Sequence, residues 1–370
     1  MLTLPDMARR IARASKTIAL LAVCLTVACA TAGGDDETTT DLKPAQNFKK
    51  EAPQQEVQKE KPRKESKKAP KKDARKSAAP PETLGAAVRM LGEEGTNLVL
   101  MKGLEEQKID RKLVEKLDRD EVAKNLAEAV NAEVQSSESY AFLYPGQPPY
   151  DALAGISLAG RLDPAYRDVR CTLAIGTGTK LFSALALLSQ GLDKAFVADN
   201  ALAETPCGEF AIKDAPVESV IEALLKSSRI LGFGLDSTDE FVFISGAATP
   251  PPRNALLNSD KLNDAQRALL EKRVTVHLPI DPRKPSRIAM EVGAEGLDTA
   301  AEALSRQLGV QVAVDPSIKN LPVNPVVMPN VRVGTALDLI IRQWPVRGFG
   351  YEVKSDSILI RRRTPNDGAQ

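Results

Sequence analysis

The sequence predicts an α+β protein built from small repeated modules, each running strand, helix, strand, strand, helix, strand. Three observations support this fold class. A stretch of the chain recurs 116 residues later without a gap. Apolar patterns of helix period and of strand period alternate within each copy. Aromatic residues make up only 4% of the chain, which suits several small aliphatic cores better than one large core.

The repeat is clearest when residues 181–244 are compared with those 116 positions later. Its identical pairs include Leu181 with Leu297, Leu188-Ser189 with Leu304-Ser305, Asp199 with Asp315, Pro206 with Pro322, Val217 with Val333, and Gly232-Phe233-Gly234 with Gly348-Phe349-Gly350. A Gly-Phe-Gly triplet in register with many other pairs indicates an internal duplication.

Each copy has a predicted order of elements. In the second module, residues 170–175 form the leading strand, 180–190 the first helix, 195–198 and 210–212 two strands, a second helix starts near Ala215-Pro216, and 240–244 form the last strand. In the third module the leading strand is expected at 287–292. The preceding strand, 273–279, is interpreted as part of the connection.

An earlier stretch shows the same order more faintly. Helices are expected at 84–92 and 120–134, and strands at 98–101, 112–117 and 140–144. The predicted modules therefore span residues 81–146, faintly, and 167–247 and 273–363, clearly.

The N-terminus predicts export. A basic stretch from Arg9 to Lys16 precedes an apolar run from Thr17 to Ala28, which is shorter than the roughly 20 residues of a membrane span and is typical of a signal peptide. Ala28-Cys29 resembles the end of a bacterial lipobox, so residues 1–28 are the predicted signal peptide and Cys29 the lipid attachment site. The alternative is a cleaved signal peptide without lipid. Because Ala30 follows Cys29 where Asp would favour inner-membrane retention, we expect an outer-membrane anchor facing the periplasm.

Residues 29–80 are a predicted linker rich in Lys, Pro, Gln and Glu. With almost no apolar side chains, such a segment cannot offset its ordering entropy, so we expect a disordered tether. Its basic stretches, such as Lys67-Lys68-Ala69-Pro70-Lys71-Lys72, also suit contact with peptidoglycan or anionic lipid.

Four cysteines are present. Cys24 would leave with the signal peptide and Cys29 would carry lipid. Cys171 and Cys207 then remain as an even number in an oxidising compartment, which predicts one disulfide within the second module. Two separate buried thiols are the alternative.

The repeats resemble the short N-terminal module that secretins share with TonB-dependent receptors. Residues 304–315, 331–341 and 348–360 of the third module carry the resemblance best, which in all covers roughly 200 residues. The resemblance implies compact β-α-β-β-α-β modules that contact assembly partners or cargo in the periplasm. The chain ends soon after the third module and lacks a secretin's barrel, which predicts no channel activity.

No catalytic constellation is apparent. The single histidine, His277, lies in an alternating strand and is expected on the surface. Gly176 to Lys180 is glycine-rich, but it lacks the spacing of a phosphate-binding loop and is interpreted as a turn before a helix. No cluster has metal-ligand spacing. We therefore expect neither an enzyme nor a bound metal or cofactor.

The predicted function is protein binding. Charges nearly cancel, 50 basic against 49 acidic, so no nucleic-acid partner is expected. Trp344, Phe349 and Phe233 are the candidate partner contacts, with burial in the core as the alternative for the first two. The leading hypothesis is a scaffold lipoprotein of a secretin-type secretion or pilus machine. The second is a structural lipoprotein held to peptidoglycan by its linker.

Overall fold

The computed structural model describes residues 82–110, 113, 119–278, 294–344 and 348–364. The predicted signal peptide, Cys29 and the whole predicted linker lie outside the described residues. So do the strand predicted at 112–117, apart from Leu113, and the strand predicted at 287–292. The described residues belong to one compact unit. They combine helices with several mixed sheets, and the predicted α+β class is confirmed.

The first segment, residues 82–144, places two helices against a parallel and an antiparallel strand pair. Its elements are α1 (Leu84–Glu93), β1 (Leu98–Leu100), α2 (Arg119–Ala129), β2 (Glu133–Ser136) and β3 (Ala141–Tyr144). The Thr83 hydroxyl caps α1 by accepting a hydrogen bond from the Ala86 N–H. β1 pairs with β3 in parallel and β2 pairs with β3 antiparallel.

The second segment follows a connection that contains the short helix α3 (Asp151–Ala154). Its elements are β4 (Arg170–Ile175), α4 (Leu181–Leu192), β5 (Ala195–Ala198), β6 (Phe210–Pro216), α5 (Val217–Ser227), β7 (Gly234–Ser237) and β8 (Phe241–Ser245). β5, β8 and β7 form one sheet. β4 and β6 instead extend the sheet of the first segment, giving the order β2-β3-β1-β6-β4.

The third segment follows a connection that contains helix α6 (Asp264–Glu271), whose N-terminus has a capping box between Asn263 and Gln266. Its elements are β9 (Arg273–Leu278), β10 (Glu295–Gly296), α7 (Leu297–Leu308), β11 (Gln311–Val314), β12 (Pro322–Val323), β13 (Val326–Arg332), α8 (Val333–Arg342), β14 (Phe349–Val353) and β15 (Ser357–Arg362). β9 pairs with β13, and β11, β15 and β14 form a sheet.

Strand register recurs at the spacing of the sequence repeat. In the second segment Ala195 pairs with Phe241, and in the third Gln311 pairs with Ser357. The antiparallel ladders of β4 with β6 and of β9 with β13 carry a bulge at the same place. A left-handed residue lies within each bulge, Asp214 with φ 50° and Asn330 with φ 49°. The pairings of the second segment thus reappear in the third.

Side-chain bonds recur as well. The Ser189 hydroxyl donates to the Leu185 carbonyl (3.0 Å) and accepts from the Phe196 N–H (2.9 Å). The Ser305 hydroxyl makes the corresponding bonds to Ala301 and Val312, both 2.8 Å long. Each serine ties the first helix of its segment to the strand that follows.

Three predictions differ from the structure. Each module was predicted to end in one strand, whereas the second and third segments end in antiparallel pairs, β7 with β8 and β14 with β15. The helix predicted at 120–134 ends at Ala129, because Asn131 turns the chain with a φ of 51° and β2 then pairs along β3. The role predicted for residues 287–292 belongs to β9. β9 pairs with β13 in the register that β4 has with β6, so it leads the third segment rather than lying in the connection.

The core lies in two clusters that meet at the sheet of β5 and β8. Phe196 and Val242 face a cluster shared with the first segment, whereas Val197 and Phe243 face a cluster shared with the third. All residues of β1, β3, β5 and β8 are buried. β11 and β15 are buried mainly on one side. The central strands of the first two sheets are therefore covered on both faces, whereas β2 and β4, at the edges of the five-stranded sheet, are largely exposed.

Candidate functional site

The contacts between successive segments contain the two buried cations of the described residues. We call the contact of the first and second segments the first joint, and that of the second and third the second joint. At each joint the second helix of the later segment presents one cation to the sheet of the earlier segment. The cation is the tenth residue of its helix, Lys226 on α5 or Arg342 on α8.

In the first joint the ammonium of Lys226 lies 5.6 Å from the ring centre of Tyr140 and 5.7 Å from that of Phe142. It bonds the carboxylate of Glu222 on its own helix (2.9 Å) and the side-chain oxygen of Gln135 on β2 (3.1 Å). The Tyr140 hydroxyl also donates to Glu222 (2.5 Å). With 2% of its side chain exposed, this cation is satisfied without water.

In the second joint Arg342 occupies the same place and is also 2% exposed. Its guanidinium lies 4.2 Å from the ring centre of Phe243 and 5.6 Å from that of Phe241. It donates to Asp236 on β7 at 2.6 Å. Asp236 pairs with Phe243 across its sheet as Gln135 pairs with Phe142, so both cations meet their sheets at corresponding positions.

A main-chain bond accompanies each cation. The Lys102 N–H donates to the Ser227 carbonyl at the end of α5 (2.9 Å), and the Asn200 N–H donates to the Gln343 carbonyl just after α8 (2.7 Å). At the first joint the main chains of the two segments approach so closely that a Cβ on Gly208 would lie 2.3 Å from the Leu100 carbonyl oxygen. Glycine is required there because any side chain would collide with main chain.

The second joint carries more charge than the first. Glu240, 3% exposed, bonds Arg273 (2.9 Å), Arg332 (3.1 Å) and the Thr335 hydroxyl (2.8 Å). At the corresponding place in the first joint, the Ser219 hydroxyl bonds the Ser139 hydroxyl at 3.1 Å. At this position an ionic contact in the second joint replaces a neutral one in the first, whereas the ion pair of the first joint lies elsewhere, between Arg89 and Glu209.

Two carboxylates of the second joint have shifted pKa values in opposite directions. Burial works to raise the pKa of Asp236, but hydrogen bonds from Arg253 and the charge of Arg342 outweigh it and lower that pKa. Burial raises the pKa of Asp338, on α8, to about 7, although it accepts a hydrogen bond from the Ala255 N–H (2.9 Å) and lies near Arg342. Of these two carboxylates, only Asp338 therefore titrates near neutral pH.

Two of the three predicted partner contacts lie in the core. Trp344 is 2% exposed, packs edge-on against Phe349 with ring centres 5.4 Å apart, and donates from its indole N–H to the Pro322 carbonyl (2.7 Å). Phe349 is 9% exposed. Both were candidate partner contacts with burial in the core as the alternative, and the structure supports the alternative, because the end of α8 and the start of β14 both face the third segment's core. Phe233 is half-buried beneath the Arg161 guanidinium.

The disulfide predicted between Cys171 and Cys207 was also wrong: both cysteines are free. Cys171 pairs with Ala215 at one end of the β4–β6 ladder, whereas Cys207 lies beyond the other end, near Thr179. Four strand residues separate these ends by roughly 13 Å, more than the ~7 Å that a disulfide spans. Burial raises the pKa of Cys171 to about 12 and of Cys207 to about 11, so both thiols are protonated at neutral pH.

The edge strands β4 and β9 differ at one position. The side-chain amide of Gln307, on α7, bonds both the N–H (2.8 Å) and the carbonyl (3.0 Å) of His277 and so closes the edge of β9. The corresponding residue of β4 is Ala174, since both pair with corresponding positions of their partner strands. The corresponding position on α4 is Gly191, which has no side chain to close the edge. In the structure His277 contributes its main-chain groups to the closed edge of β9, whereas the edge of β4 is open at Ala174.

Sequence reasoning missed Lys226 and Arg342. A basic residue in the last turn of an amphipathic helix is ordinary and usually faces water. The signal that could have found them is their spacing of 116 residues, each with an acidic residue four positions earlier.

Within the described part of the chain, no three His, Cys, Asp or Glu side chains come together as metal ligands. No helix there has the length and apolar character needed to cross a bilayer. Comparison with known proteins identifies no relative: no family model matches the chain, and no curated protein or solved structure is significantly similar to it.

Proposed function

We propose that the three segments are copies of one β-α-β-β-α-β module and that the protein is a non-enzymatic scaffold that binds other proteins. The observation that carries this proposal is the recurrence of strand register, bulge and buried cation along the chain. Stacked modules with repeated contacts form extended binding surfaces. The resemblance to secretin N-terminal modules, expected from sequence, favours an accessory of a secretin-type secretion or pilus system.

The proposed location is the periplasmic side of the outer membrane, with Cys29 as the lipid anchor. The N-terminal sequence supports it through a basic stretch, a short apolar run and Ala28-Cys29. The linker that follows would let the modules reach partners away from the membrane.

We place the partner contact at the open edge of β4. Ala174 corresponds to His277, whose main-chain groups point away from the neighbouring strand towards Gln307, so those of Ala174 point outward as well. β4 also lies at the end of the five-stranded sheet, the largest described. An extended segment of a partner could add to this edge through main-chain hydrogen bonds.

The test introduces beside β4 the side-chain amide that closes the edge of β9. Gly191→Gln places on α4 the residue that Gln307 provides on α7, and a Cβ at Gly191 meets no atom within 4 Å. Gly191→Ala is the matched control, because it changes the helix without supplying an amide. Each variant is used to capture proteins from envelope extracts, with mass spectrometry of the eluate and circular dichroism of the bait.

We expect a secretin-type component in the wild-type and Gly191→Ala eluates and its loss with Gly191→Gln. Equal capture of this component by all three proteins would show that the β4 edge is not the partner contact. Absence of any secretin-type component, together with sedimentation of the protein with purified peptidoglycan sacculi, would instead favour the cell-wall role of the basic linker.

A further inference from the structure

The two joints show what a module needs in order to dock, and the end modules lack these groups. A receiving sheet supplies two rings beneath the cation, Tyr140 and Phe142 at the first joint and Phe241 and Phe243 at the second. By strand register the corresponding residues of the third segment are Ser357 and Leu359. A cation placed there would lose its water without gaining a ring.

The main-chain donor is also missing from the third segment. Lys102 and Asn200 donate their N–H groups across the first and second joints. The residue 116 positions after Asn200 is Pro316, which has no N–H. The carbonyl at the end of an incoming helix would be left without this donor.

The acidic residue on this face of the third segment, Glu352, already forms an ion pair with an arginine of the same segment. Glu352 pairs with Leu359 as Asp236 pairs with Phe243. It bonds Arg361 of the neighbouring strand at 3.2 Å, whereas Asp236 bonds the cation of the next segment. The segment's own arginine thus takes the place that a following module's cation would fill.

In the first segment, the helix that corresponds to the docking helices has its charges in the opposite order. In α2 the tenth residue is Glu128 and the sixth is Lys124, both exposed. The corresponding pairs are Lys226 with Glu222 on α5 and Arg342 with Asp338 on α8. The charges on α2 are therefore reversed, and this helix offers an acid where a docking helix offers a cation.

We infer that the array is closed at both ends, so that a second copy of this chain cannot add to it end to end through the joint geometry. The inference rests on the proposed equivalence of the three modules. It deepens that proposal, because it leaves lateral contacts such as the β4 edge as the route to a partner. Repeat proteins commonly end in modules whose outer faces differ from the internal ones.

The experiment restores the docking groups and measures self-association. One set of substitutions opens the third module: Pro316→Asn, Ser357→Phe, Leu359→Phe and Arg361→Ser. A second set, Lys124→Glu with Glu128→Lys, gives α2 the charge order of α5. All variants are made in the full chain carrying Cys29→Ser, which removes the proposed acylation site, and their masses are measured by sedimentation velocity over a range of concentrations.

The parent chain and each single-ended variant should stay monomeric. The double-ended variant should at least double in mass as its concentration rises, because a head-to-tail contact that does not close on itself continues to grow. A folded double-ended variant that stays monomeric would overturn the inference. Self-association of the parent chain that Leu359→Lys abolishes would overturn it too. Partner capture through β4 is measured separately, so its failure would leave these outcomes unaffected.

Discussion

The first and second joints place a cation in the same position but surround it differently. Lys226 has its carboxylate on its own helix and a neutral amide, from Gln135, on the sheet it meets. Arg342 has a carboxylate on the facing sheet, Asp236, and lies near Asp338 of its own helix. The first joint also continues the sheet from β1 to β6, whereas β5 and β13 form no ladder.

The difference shows how one docking geometry is stabilised in two ways. Strand pairing supplies main-chain bonds at the first joint, where the buried Glu209 also pairs with Arg89 on α1. At the second joint the cation and the network around Glu240 connect segments whose strands β5 and β13 form no ladder. A charge buried between two acids is costly to isolate, so the second joint should depend more strongly on its cation.

The largest expected effect follows from Arg342→Met. It removes one of the two cations near the buried Asp338, of which Arg363 remains, and one of the two arginines that bond Asp236. Breaking a buried pair in this way costs about 3–5 kcal/mol of unfolding free energy. Urea unfolding would measure it, with Arg342→Lys as the control that keeps the charge and should recover part of the loss. A loss below about 1 kcal/mol would show that the second joint does not depend on this cation.

Lys226→Met should have a smaller effect, about 2 kcal/mol. Glu222 keeps hydrogen bonds from the Tyr140 hydroxyl and from the Leu158 N–H (3.1 Å), so its charge is not left unsatisfied. The same urea titration compares the two variants directly. If Lys226→Met were the more damaging, the proposed contrast between the joints would be reversed.

The pH dependence sharpens the comparison, because Asp338 belongs to the second joint alone. Its pKa of about 7 when folded lies above its ordinary value of 3.8. The folded state therefore binds the extra proton between these values, so the contribution of Asp338 to stability is greatest below about pH 4 and is lost as the pH rises through about 7. The slope should be no more than about 1.4 kcal/mol per pH unit.

Asp338→Asn should flatten this part of the stability profile between pH 4 and 7, as read from chemical unfolding at several pH values. Asp236→Asn is the informative contrast, because the pKa of Asp236 is lowered and its contribution is lost as pH falls. An unchanged slope in Asp338→Asn would mean that another group titrates over this range.

The smallest effect should be the same in both modules. Ser189→Ala and Ser305→Ala each remove a hydroxyl that ties helix to strand inside a module, which should cost about 1 kcal/mol. Thermal unfolding of the two variants should agree within about 0.5 kcal/mol. A large difference would indicate that the modules have diverged internally and not only at their joints.

The repeat made much of the fold predictable from sequence. The helix expected at 180–190 is observed at 181–192, and the strand expected at 195–198 has those bounds. Local patterns could not show which side chains neighbouring modules cover. Trp344 was therefore a candidate partner contact and Lys226 was not singled out, although both are buried. The cysteine pairing failed for a related reason, because counting cysteines does not place them along a strand ladder.

Amide hydrogen exchange of Lys102 and Asn200 tests the docked array most directly. Each N–H bonds a carbonyl at the end of the next module's helix, so both should exchange as slowly as the buried strands β3 and β8. Arg342→Met should accelerate exchange at Asn200 and leave Lys102 protected. Exchange of both amides in the wild-type chain at the rate of exposed loops would contradict the account, because the modules would then not be held together by these joints.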